Sequence, residues 1–146
     1  MNPHRLRQFA MTGAVLLYWP YAALLAIVEF GQSCTRAGEG LLPTLFVGGP
    51  IIVFATLLVW LSRPRVPLSA ALRLSLVASL AVSALITLVQ VWNVTIMGHH
   101  PCGADYDYYL EFMKKWDRWI PVANIVLIGI AALTGLGPLQ RKLHSP

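Results

Sequence analysis

Residues 98–119 read GHHPCGADYDYYLEFMKKWDRW, and most of the chain's reactive side chains sit there. His99, His100 and Cys102 are donors that zinc or copper accepts, and Glu29 or Glu39 would complete a set of four. The spacing argues against such a centre. Neighbouring histidines in an extended segment point to opposite sides. Cys102 also has a competing partner in Cys34, the only other cysteine. No metal and no cofactor is expected.

A Cys34–Cys102 disulfide is the expected chemistry of the two sulfurs. Both fall in segments that the charge pattern places on the oxidising side, where bridges form and persist. The loop it would close is long, so the bridge would stabilise the fold by about 3–4 kcal/mol if its geometry is unstrained. Catalysed thiol exchange needs a resolving thiol beside the attacking one. Membrane oxidases that pass disulfides to quinone keep paired cysteines within a loop, and this chain has no C-x-x-C.

After Gly103, the run ADYDYYLEFMKKWDRW has helical grammar. Asp105 can cap it, acids come early and bases late, and Glu111 reaches Lys115 four residues on. Tyr109, Phe112, Met113 and Trp116 then share one face. That stripe fits an interfacial helix capping a bundle, or a docking surface for another protein.

The elements that hold this segment are apolar. Of 146 residues, 57% are hydrophobic and 12% charged, against roughly 45–50% and 25% in soluble domains. That much apolar surface has no place in a water-soluble chain of this size. Four apolar stretches, about 8–30, 41–62, 70–97 and 119–137, each approach or exceed the ~20 residues of a membrane-crossing helix. The expected fold is all-α: a single polytopic membrane domain, a four-helix bundle with outer loops at 30–40 and 98–118. The first stretch is too long for a signal peptide and has no small-residue cleavage pattern, so it reads as an uncleaved helix.

Charge orients the bundle. The N-terminus, the 63–73 link and the C-terminus carry Arg5, Arg7, Arg63, Arg65, Arg73, Arg141 and Lys142 and no acid. The 30–40 and 98–119 segments, with Glu29, carry all six acids against four bases. Basic loops stay inside, so both termini are expected in the cytoplasm of an integral plasma-membrane protein, a bacterial inner membrane being the natural setting. The net charge of +5 is thus a topology signal. It attracts anionic lipid to the inner face and is no sign of nucleic-acid binding.

Within the stretches, Pro20 predicts a kink in the first helix. Gly48-Gly49-Pro50 predicts a mid-membrane break in the second, read as a packing kink in preference to a transport site. The short SRPRVPLS link predicts that the second and third helices are antiparallel neighbours. Ala71, Ser75, Ser79, Ser83 and Thr87 recur every four residues, a ridge that lets another helix come close and exchange hydrogen bonds. Gln90 and Asn93 are expected to pair inside the bundle, because an unpaired amide in lipid is costly. Asn124 lies one turn inside the fourth helix, with Ala131 and Gly135 deeper.

No nucleophile–base pair, carboxylate dyad or phosphate loop is present, so the expectation leans away from an enzyme. The expected function is binding: an accessory subunit of a membrane complex, or an immunity-type factor, meeting another envelope protein or itself through its outer cap and helix faces. The alternatives are a small oligomeric channel or carrier using the Gly48–Pro50 break, and, less favoured, a lipid- or thiol-modifying enzyme.

Overall fold

The computed structural model describes residues 3–30, 41–62, 68–98 and 118–136, and all regular elements among them are helices. Cys34, Cys102, His99, His100, Tyr109, Phe112, Met113 and Trp116, with the whole 105–117 stretch, lie outside the described residues.

The first helix is two pieces, α1 (Pro3–Leu16) and α2 (Tyr18–Phe30), with a turn at Leu17 between them. Pro20 explains the position of the break. Its ring meets the carbonyl four residues back, that of Leu16, and it has no N–H to offer that oxygen. The ladder resumes around it, with Leu17 N–H still bonded to Gly13 at 3.1 Å. The helix starts earlier than the apolar run because Arg5 and Arg7 extend it past the hydrophobic stretch as exposed residues.

The second helix opens with a π turn, Thr44–Gly48, and continues as α3 (Gly49–Ser62). The widened turn falls just ahead of Pro50, which again cannot donate to the residue four back. The irregularity therefore falls in the first turns of this helix.

The third helix is α4 (Ala70–Gln90), capped by Ser69 Oγ accepting from Leu72 N–H at 3.3 Å. It runs on into a second π turn, Val91–Ile96. Met97 N–H reaches back five residues to Trp92 O at 2.9 Å, and Gly98 ends the helix with φ +69°. That left-handed conformation suits glycine at a helix stop. The last helix is α5 (Ile120–Leu136).

Three stretches, Arg5–Phe30, Thr44–Ser62 and Ala70–Ile96, are long and apolar enough to cross a membrane; α5 is apolar but has 17 residues. Large apolar side chains such as Phe9, Phe46, Leu74, Leu85 and Leu133 point outward, as a lipid-facing surface requires. Trp60 near one end of the bundle, and Trp92 and Trp119 near the other, are exposed where aromatic belts form.

The helices pack as a square whose order differs from the chain order. The first packs on the second and third, and the fourth on the second and third. The second and third sit across the diagonal, contrary to the expectation from their short link. Residues 63–69 have the reach: seven residues in extended form span roughly 23 Å. The diagonal of a square with 8–10 Å sides is only about 11–14 Å.

Two apolar clusters fill the interior. The larger runs from Met11 through Tyr18, Tyr21, Leu25, Ile52, Val59, Leu76 and Ile128 to Ala131. The smaller, at the end of the bundle where Phe30, Gly98 and Trp119 lie, joins Leu41, Val94 and Ile120, with Val28, Leu42 and Leu45 packed on it.

Candidate functional site: a polar layer between two apolar clusters

One turn inward from each central member of the small cluster stands a buried polar side chain. Thr44 follows Leu41 by three residues, Gln90 precedes Val94 by four, and Asn124 follows Ile120 by four. All three are fully buried. Helical spacing puts such residues on the same face as the cluster they adjoin, so a polar layer separates the small apolar cluster from the main core.

Part of the layer is satisfied. Thr44 Oγ1 donates to Leu41 O at 2.6 Å, which uses its only proton. It then accepts from Asn124 Nδ2 at 2.9 Å, tying the second helix to the fourth. The rest is not. Asn124 Oδ1 and both polar atoms of Gln90 have no partner among the described residues. The expected pairing of Gln90 with Asn93 is therefore not what the structure holds. Asn93 is half-buried in the π turn, where the altered helical phase rotates it away from the position an α-helix would give it.

Tyr21 adds a third orphan. Its ring lies against Gly48, where a Cβ would stand 3.0 Å from Cδ2 and Cε2. Glycine is what lets the second helix approach the ring. The Tyr21 hydroxyl is buried without a partner among the described residues, and Glu29 Oε2, in the last turn of α2, is also shielded and unpartnered there.

Tyr18 shows the contrasting case three residues earlier. Thr56 Oγ1 spends its proton on Ile52 O at 2.6 Å. Tyr18 is thus the donor in its 3.0 Å contact with Thr56. Trp19 Nε1 donates to Ser75 Oγ at 2.9 Å, joining the first and third helices. Neither tie had a sequence signal beyond the presence of the polar groups, because the partners are 38 and 56 residues away.

The ridge on α4 is placed as follows. Ser79, Ser83 and Thr87 are fully buried, Ser75 is half-buried, and Ala71, the first residue of the row, is exposed. Their hydroxyls differ from the expected cross-helix exchange. Ser79 bonds to Leu76 O at 3.0 Å, Ser83 to Ser79 O at 2.8 Å and Thr87 to Ser83 O at 2.8 Å. In an apolar interior the carbonyl of the preceding turn is the nearest acceptor, and only Ser75 bonds to another helix.

Among the described residues no group of three or more His, Cys, Asp or Glu could hold a metal ion. Compared with known protein families, characterised proteins and solved structures, the chain matches none.

Proposed function

We propose that this chain is an integral membrane protein of four spanning helices that works by binding another membrane or envelope protein, as an accessory subunit or an immunity-type factor. The observation that carries this reading is where the side chains go. Apart from tyrosine, the fully buried residues described are apolar or neutral and polar. Two of the four histidines, four of the six acids and the aromatic stripe Tyr109, Phe112, Met113 and Trp116 belong to one stretch of sequence, 98–119, between the third and fourth helices. Intramembrane charges are the usual mark of ion and proton pathways, and the helix break that would serve a carrier is instead occupied at Gly48 by the Tyr21 ring.

The fourth span is α5. Seventeen residues rise about 25 Å, at the short end of what crosses a hydrocarbon core, and Trp119 marks its outer boundary. With four crossings and a basic inner side, both termini are cytoplasmic. A Cys34–Cys102 bridge would hold the 98–118 segment over the helix ends, and labelling the unfolded, unreduced protein should find no free thiol.

Affinity purification of the tagged full chain from membranes, with crosslinking before solubilisation, tests the reading. A stoichiometric partner lost on Trp116→Ala at unchanged expression supports it. Recovery of the chain alone or only as a homo-oligomer that conducts solutes contradicts it and favours the channel reading.

A further inference from the structure

Two members of the polar layer stand where the second and third helices leave α geometry. Thr44 is the first residue of one π turn, and Gln90 directly precedes the other. Such turns concentrate at functional positions in helices. The layer is closed toward the outside by Leu41, Val94 and Ile120 and toward the inside by the main core.

What the layer offers is a mixed set of unused hydrogen-bonding atoms. Gln90 Nε2 brings donors, Gln90 Oε1 and Asn124 Oδ1 bring acceptors, and the Tyr21 hydroxyl brings both. Leaving such atoms bare in an apolar interior is costly. A bound cation is a poor match: the layer carries no formal charge to offset one, and an unpaired buried ion is strongly unfavourable. Another helix is a poor match too, because Thr44, Gln90 and Asn124 are already sealed within the single chain. The guest must be small, uncharged, and able both to donate and to accept.

We infer that the layer formed by Thr44, Gln90 and Asn124, with the Tyr21 hydroxyl one turn deeper, is an internal water site at the outer third of the bundle. Water satisfies two to four polar groups at once and is retained where such groups converge. The site is independent of the partner-binding reading and stands or falls without it.

Radiolytic hydroxyl-radical footprinting of the full chain in detergent micelles tests this, because radicals formed from bound water oxidise buried side chains beside it. Tyr18 is the internal control. It is as fully buried as Tyr21, but its hydroxyl is already bonded to Thr56. The expected result is several-fold more oxidation at Tyr21 than at Tyr18. In Gln90→Leu the Tyr21 signal should fall toward that of Tyr18, while Tyr18 itself stays protected and so reports an intact fold. Equal, low oxidation of the two tyrosines in the unaltered protein would mean a dry layer and overturn the inference, whether or not the variant folds.

Discussion

Asn124 and Thr44 are 80 residues apart in the chain, and Asn124 Nδ2 donates to Thr44 Oγ1 at 2.9 Å inside the bundle. The bond fixes the depth of the fourth helix against the second. Because the Thr44 proton is already on Leu41 O, threonine can only accept from the amide.

Thr44→Val should therefore lower stability by about 1 kcal/mol, the usual order for one such bond in a membrane interior. Asn124→Leu should cost less than the sum of lost groups implies, since it also removes the unpartnered Oδ1. Thermal unfolding of both single variants and the double variant measures this. Additive effects would show that the two residues are not coupled.

Glycine positions should separate by their surroundings. A Cβ at Gly48 would press on the Tyr21 ring at 3.0 Å and on Leu24 Cδ2 at 3.3 Å, whereas one at Gly129 meets nothing within 4 Å. Gly48→Leu should lower stability by about 1–3 kcal/mol through overpacking. Gly129→Leu should change it by less than about 0.5 kcal/mol. The melting temperatures of the two variants in one detergent decide the comparison.

The α4 ridge gives a similar contrast. Ser79 is fully buried and Ala81, two residues on, is exposed. Ser79→Leu should destabilise by about 1–3 kcal/mol, and Ala81→Leu should leave assembly unchanged. Equal tolerance in a thermal assay would place Ser79 against lipid.

Much of the bundle was legible from local pattern. Apolar length marked the helical stretches, and Pro20 and Pro50 marked the neighbourhoods of both irregularities in the first two helices. The four-residue recurrence of Ala71, Ser75, Ser79, Ser83 and Thr87 follows a face that is buried from Ser79 to Thr87, half-buried at Ser75 and exposed at Ala71. Long-range choice was not legible. A seven-residue link reaches a diagonal neighbour as readily as an adjacent one, so proximity in the chain misplaced the second and third helices. Asn124 stood out as polar within an apolar run, but nothing local pointed to Thr44. The serines could bond across helices or back along their own, and the nearer carbonyl won at Ser79 and Ser83.

The proposed four-span arrangement rests most on α5 crossing the membrane, because that crossing would put residue 104 and the C-terminus on opposite sides. Paired reporter fusions, one active only outside and one only inside, inserted at residue 104 and appended after Pro146, measure it directly. The predicted result is an outside signal at 104 and an inside signal at the C-terminus. Signals from the same side at both positions would contradict the four-span bundle.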